Sequence, residues 1–297
     1  MNTDNTNGIS NLISNEINST DKILKPDFTQ KAGRELLTFY LQSKFKQVLA
    51  YDKSTENPVF LNVKDDFVQK FSRRLIDNPQ KRILIGITGE SASGKSTICE
   101  EIQKVIRSLD LPVSIITTDN YFKDISGLIK EYGGFDNLRD AGYEIDSPNN
   151  FQLDILKEDL EKISKGENIL CPEYLPNGTG ISIPKSIPVL SKKIIVVEGM
   201  ATFYSDLKDL FDISIYIETD LDIRHERFID RACHERNQDL INALKHWDYI
   251  IDAGKKYILP TRKDVDIILD GNVNLKYFSG ILEYIHTVTN NFESEEI

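Results

Sequence analysis

Between residues 81 and 270 the apolar positions alternate between two rhythms. Near-continuous apolar runs rich in Ile and Val at 82–88, 113–118, 193–197, 211–217 and 265–269 have strand length. Between them apolar residues recur every three or four positions, as on one face of a helix. Ile98, Ile102, Val105, Ile106 and Leu109 follow the first run in this way, and helices are also predicted over 153–165 and 221–234. Continuous aliphatic runs suit strands buried on both faces of a parallel sheet, and alternation with helices predicts a doubly wound α/β fold. No internal repeat is seen.

The first 80 residues follow a different pattern. Residues 1–24 are polar, rich in Asn, Ser and Thr, and are expected to be disordered. A helix is predicted over 26–50 from the stripe Leu36, Leu37, Tyr40, Leu41 and Phe45, and a second over 64–76 from Phe67, Phe71 and Leu75. The expected organisation is a tail at 1–24, a helical extension at 25–80 and a main α/β domain at 81–290. The extension carries no recognisable chemistry.

Composition sets limits on partners. The chain has 297 residues, 40% hydrophobic and 28% charged, with a net charge of −11. That balance disfavours broad nucleic-acid or membrane-surface binding, while a local basic cluster still suits a small anion. Cys99, Cys171 and Cys233 are scattered, which argues against a disulfide framework or a zinc site and fits a reducing compartment. No apolar run reaches membrane-spanning length, and the N-terminus lacks the basic start and apolar core of a secretory signal. A cytoplasmic protein acting on a small molecule is expected, with homo-oligomerisation left open.

The candidate chemistry begins where the first strand ends. Residues 89–97 read Gly-Glu-Ser-Ala-Ser-Gly-Lys-Ser-Thr, a complete G-x-x-x-x-G-K-[ST] loop. Set between strand and helix, Gly89, Ser91, Ala92, Ser93, Gly94, Lys95, Ser96 and Thr97 would present backbone N–H groups to phosphate oxygens. Lys95 would neutralise the β- and γ-phosphates, and the Ser96 hydroxyl would bind magnesium. The bland alternative, a Gly/Ser turn before an ordinary helix, fits the flanks poorly. In an open parallel sheet ligands sit at the carboxyl ends of strands. Two more predicted strands end there in acids, at Asp119 and Glu198. Asp119 suits a proton acceptor close to magnesium, or a helix cap; Glu198 suits a group that orients the magnesium shell, or a strand end without a role. Asp146, in Asp-Ser-Pro, reads equally well as a turn residue. Arg224, Arg227 and Arg231 recur at three- and four-residue spacing, with Arg236 beyond. They suit a row gripping triphosphate oxygens, or a solvated helix paired with Glu226 and Asp230.

Taken in order, these pieces resemble the uridine kinase and phosphoribulokinase family of phosphate-loop kinases. The stretches that carry it are the loop from Gly86, Thr118-Asp-Asn-Tyr-Phe122, Asp146-x-Pro148-x-x-Phe151, Pro172-x-Tyr174, Val197-Glu-Gly199, Tyr216 to Arg224, Glu235-Arg236 and Leu259-Pro-Thr-Arg-Lys263-x-x-Asp266. The resemblance spans roughly 81–288. It implies a phosphate-loop nucleoside triphosphate hydrolase fold and magnesium-dependent transfer of the γ-phosphate of ATP or GTP to an alcohol. It makes Asp119 the base, puts Tyr121, Asp146, Tyr174 and Arg236 on the acceptor side, and makes residues 222–240 a lid that closes over the nucleotide. The departures fall on the acceptor side: Ser147 stands where uridine kinases have His, no Arg follows Pro172-x-Tyr174, Phe228 replaces a second lid Arg, and Asn237-Gln238 replaces Gly-Arg. A pyrimidine nucleoside, uridine or cytidine, is the expected acceptor. The alternatives are pantothenate, glycerate or a sugar phosphate, or a nucleotide-binding regulator without transfer; the missing basic positions count against a sugar phosphate.

Overall fold

The computed structural model describes residues 31–56, 58–78, 81–108, 112–175 and 178–272. The expected tail at 1–24 and the domain's last stretch beyond 272 lie outside the described residues. The chain divides into two units, one comprising Lys81–Glu100 and Pro112–Asn272, the other Met1–Gln80, Glu101–Leu111 and Val273–Ile297.

In the second of these, helices α1 (Lys31–Lys53) and α2 (Phe67–Asp77) flank a short strand β1 (Phe60–Val63) that the helical pattern did not announce. An aromatic cluster holds them. The Phe45 ring meets Phe60 at 6.3 Å and Phe67 at 5.9 Å, both edge-on, and Phe67 stacks with Phe71 at 5.8 Å. The buried Asp52 carboxylate ends α1 by accepting the N–H groups of Val59 at 2.9 Å and Phe60 at 3.0 Å. Pairing a buried charge with two backbone donors offsets its desolvation.

The larger unit is built from β2 (Ile83–Gly89), the part of α3 (Lys95–Ser108) up to Glu100, β3 (Val113–Thr117), α4 (Ser126–Tyr132), α5 (Phe135–Asp140), α6 (Leu153–Ser164), β4 (Ile169–Tyr174), β5 (Ser182–Val189), β6 (Ile194–Glu198), β7 (Ile213–Glu218), α7 (Leu221–Asp230), α8 (Leu240–Ala253) and β8 (Ile267–Asp270). Five of its strands lie in one sheet in the order β8–β7–β2–β6–β3, every neighbouring pair parallel. Every residue of β2 is buried. The aliphatic runs are thus strands covered on both faces, as a doubly wound sheet requires. Leu84, Ile195 and Val197 pack with Leu156, Leu160 and Ile163 of α6 on one face. Tyr216 and Ile268 pack with Phe203 and Tyr204 on the other.

Register brings the functional strand ends level. Ile87 pairs with Glu198 across β2–β6, and Thr117 pairs with Glu198 across β3–β6. The phosphate loop, Asp119 and Glu198 therefore leave the same edge of the sheet. Gly199 adopts φ +132°, and a Cβ there would stand 2.1 Å from Thr118 Oγ1. Only glycine lets the chain turn that close beside the Asp119 segment.

The sequence pattern missed the antiparallel hairpin β4–β5 and helices α4, α5 and α8. Pro172, Pro184 and Pro188 lie inside the hairpin strands and speak against strands in the sequence. Helix α8 did carry a signal. Asp239 caps it, accepting from Asn242 N at 3.0 Å, and Ala243, Trp247 and Ile250 follow at helical spacing.

Candidate active site

The phosphate loop runs from the last residue of β2 into the first turn of α3. Ala92 takes a left-handed φ of 61° and Gly94 one of 93°, conformations that turn successive N–H groups to one side, as an anion nest needs. Lys95 Nζ donates to the loop's own carbonyls, Gly89 O at 2.8 Å and Glu90 O at 3.0 Å. Burial draws the Lys95 ammonium below its ordinary value, against the opposing pull of Glu198 and Asp119 and with a further push from Arg231 and Arg224. Ser96 and Thr97 are open to solvent at the start of α3, while Ser93 is buried and its Oγ has no partner among the described residues.

Asp119 lies in the tight turn Thr118–Tyr121 directly after β3. The residue keeps exposed surface at the strand end, yet desolvation by the surrounding protein raises its carboxyl above the usual range, opposed by Lys95, Arg231 and Arg236. Glu198 is raised by burial and by the Asp119 charge; a hydrogen bond with the Thr117 side chain and the Lys95 charge act the other way. Asp146 is pushed up to about 6, first by burial, then by Asp119, with Arg139 and Lys95 opposing. The three carboxylates and Lys95 thus share one electrostatic neighbourhood, drawn from four separate stretches of chain. Asp146 is set in place from behind, where Tyr204 Oη donates to its carbonyl at 3.2 Å. The neighbouring Ser147 caps the turn Pro148–Asn150, so the structural reading of Asp-Ser-Pro is realised one residue later.

The arginines meet different partners. Arg224 is buried: Nη1 pairs with Glu90 Oε2 at 2.8 Å and Nε donates to Ser91 O at 3.0 Å. These contacts tie α7 to the phosphate loop through two of the Arg224 nitrogens, while Nη2 is buried with no hydrogen-bond partner among the described residues. Arg227 reaches Gly271 O at 3.4 Å and Asn272 Oδ1 at 3.1 Å. Helix α7 ends at Asp230 and continues as a wide π-turn, Arg231–Glu235. Only beyond that change of winding do Arg231 and Arg236 come within electrostatic reach of Asp119. The expected ion pairs along this helix are also absent from the described contacts of Arg224 and Arg227; Asp230 faces His234 Nδ1 at 2.8 Å instead.

Tyr121 is a correction to the sequence reading. Its ring is fully buried, and its hydroxyl donates to Asp159 Oδ2 at 2.9 Å and contacts Cys171 Sγ at 3.1 Å. It belongs to the core between α6 and β4 and does not line the acceptor side. Tyr174 is half-buried, its ring 5.2 Å from Phe122, its hydroxyl pushed up to about 12 by burial and the charges of Asp124 and Tyr143. The sequence reading also missed residues here. Arg139 on α5 and His246 and Tyr249 on α8 stand beside Asp146, Arg231 and Arg236.

The chemistry of the donors fits a hard divalent cation. Ser96, Asp119 and Glu198 offer oxygen only, and among the described residues no group of three or more His, Cys, Asp or Glu is arranged to hold a metal alone. Magnesium bound through one or two side chains and substrate phosphates needs no such cage. No described helix is long and apolar enough to cross a membrane.

A phosphate loop at the end of a parallel strand, with strand-end carboxylates facing its lysine, defines a phosphate-loop phosphotransferase acting on a hydroxyl group. The comparisons narrow this. The model of the Phosphoribulokinase / Uridine kinase family matches residues 84–274, and the chain belongs to that family. It is 30% identical to uridine-cytidine kinase B of Dictyostelium discoideum over 71% of this chain and 84% of that protein. It is 32% identical to uridine kinase of Chlamydia pneumoniae over 72% of this chain and 94% of that one. A uridine kinase of Clostridium novyi is 35% identical over 63% of this chain and 86% of its own length. Among solved structures, one from Silicibacter sp. TM1040, named for a fructose transport system kinase, superposes with a TM-score of 0.50 at 17% identity, covering 67% of this chain and 95% of that one. That likeness speaks for the fold alone.

Proposed function

We propose that the protein transfers the γ-phosphate of ATP to a ribose hydroxyl of a pyrimidine nucleoside, uridine or cytidine. The observation that carries this is the meeting of Asp119 with Lys95, Arg231 and Arg236 at one strand end. The nucleoside kinases among the relatives support the acceptor.

In this reading the loop N–H groups of residues 89–97 hold the phosphates, and Lys95 leaves the carbonyls of Gly89 and Glu90 to meet them. Ser96, Asp119 and Glu198 would hold magnesium, which when bound supplies charge neutralisation across the β- and γ-phosphates. Asp119 takes the proton of the acceptor hydroxyl. The acceptor oxygen forms its bond to the γ-phosphorus as the bond to the β-bridging oxygen breaks, and ADP leaves with that electron pair. A raised carboxyl pKa makes Asp119 a better proton acceptor than an ordinary aspartate. Arg231 and Arg236 balance the charge of the transferring group. Asp146 and Tyr174 orient the acceptor. Residues 222–240 close over the nucleotide and exclude water, which would otherwise compete as acceptor.

The test is incubation with γ-labelled ATP and magnesium against uridine, cytidine, pantothenate, glycerate and a sugar phosphate, with the product identified by mass. Labelled nucleoside monophosphate supports the reading. Phosphorylation of another member of the panel in preference overturns the acceptor, and nucleotide binding without any acceptor-stimulated turnover overturns the kinase. Asp119→Asn should retain nucleotide binding and lose about 10²-fold or more in kcat; full activity there would sink the base assignment.

A further inference from the structure

Arg139 is a charged side chain that is only 8% exposed, and its Nε has no hydrogen-bond partner among the described residues. A buried cationic donor left unpaired is costly, and such groups normally have a partner. The rest of the guanidinium is well placed. Nη2 pairs with Asp136 Oδ1 at 2.6 Å, and the plane lies 5.7 Å from the Tyr249 ring centre. His246 sits one turn earlier on α8 than Tyr249, hence on the same helix face. Its ring packs edge-on against Phe228 at 5.1 Å, and its Nδ1 is also buried without a partner. Tyr249 Oη donates to Tyr143 O at 3.3 Å, which ties this wall to the segment leading to Asp146.

We propose that Arg139 is a specificity-determining residue that donates its Nε–H to a ring carbonyl oxygen of the acceptor, against a wall formed by His246 and Tyr249. This rests on the pyrimidine nucleoside reading above and adds a residue to it.

The charge balance favours a carbonyl over a phosphate. Asp136 already neutralises Arg139, and Asp146 stands within its electrostatic reach, so a second anion there would meet two carboxylates. A neutral oxygen asks only for the donor. The imidazole beside it is neutral as well: burial, then Arg139, Arg236 and Arg231, hold His246 down at about 3. A neutral imidazole can meet either a ring N–H or a ring oxygen according to its tautomer. Nε is enclosed by protein, so binding requires a neighbouring side chain to give way.

The experiment compares wild type, Arg139→Gln and Arg139→Lys on uridine and on pyrimidine ribosides lacking the 2- or the 4-oxygen. In wild type, deleting the oxygen that Arg139 reads should raise the acceptor KM about tenfold or more, because the site's donor is left unpaired. Arg139→Gln should raise the uridine KM by a similar factor, leave the KM for ATP unchanged, and no longer distinguish uridine from the deleted analogue. An unchanged uridine KM, or discrimination that persists in the Gln variant, overturns the proposal. So does a parallel rise in both KM values with a lowered Tm, which marks a purely structural arginine. If Arg139→Gln fails to fold, Arg139→Lys decides: it keeps the charge but lacks Nε, and must lose the discrimination. If wild type prefers another acceptor, the nucleoside reading fails on its own. The proposal then stands only if Arg139→Gln raises that acceptor's KM alone and the acceptor's carbonyl is needed.

Discussion

Arg224 Nη1 and Glu90 Oε2 stand 2.8 Å apart beneath the phosphate loop, with the Arg224 side chain 4% exposed and that of Glu90 16% exposed. The pair joins the loop to α7 and so couples it to the helix that leads to Arg231 and Arg236. Arg224 Nε also holds Ser91 O, so one side chain fixes two consecutive loop residues.

Glu90→Ala would leave the Arg224 guanidinium buried without its counter-charge. Breaking such a pair from one side costs about 3 kcal/mol. Chemical denaturation should show that loss, and the KM for ATP should rise because the loop is no longer preorganised. Glu90→Gln, which keeps the hydrogen bond, should fall between the two. Wild-type stability in Glu90→Ala would mean that solvent reaches Arg224 freely.

Asp146 makes stability depend on pH. Its folded value of about 6 lies above the ordinary 3.8, so between those values the native state binds more protons than the unfolded one. Stability therefore falls as pH rises through this window, and the full penalty stands above pH 6. Asp146→Asn lacks the penalty. Its Tm should exceed that of wild type at pH 7.5, and the gap should close towards pH 4. A gap independent of pH would show that burial of the charge is not its origin.

Tyr121→Phe distinguishes core from site. Removing the hydroxyl leaves Asp159 and Cys171 without their shared partner. A loss of about 1–2 kcal/mol in stability is expected, with kcat/KM for the acceptor close to wild type. A large rise in acceptor KM at unchanged stability would return Tyr121 to the acceptor side.

Much of the donor side was legible in the chain because its chemistry is local. The phosphate loop works through backbone N–H groups of adjacent residues, so Gly89 to Thr97 announce it in one stretch. Asp119 and Glu198 were legible for a related reason: aliphatic strands end abruptly at an acid, and parallel sheets bring such ends to one edge. The helix pattern also announced α6 and α7, although α7 stops at Asp230 where the π-turn begins.

What each polar side chain faces was decided elsewhere. Arg224, Arg227 and Arg231 share a spacing, yet one is buried under the loop, one meets Gly271 and one approaches Asp119, because three different elements surround that helix. Tyr121 sits two residues from Asp119 and turns the other way, into a core made by α6 and β4. Arg139 carries no motif at all and becomes a candidate only when α5 packs near α8 and sets it against Tyr249. By itself the sequence determined the sheet, the phosphate cradle and the strand-end acids, since these follow from periodicity and short-range geometry. The surroundings of Tyr121, Arg139, His246 and Tyr249 were decided by tertiary structure, because these groups come from elements distant in the chain and their roles depend on which neighbours exclude water from them.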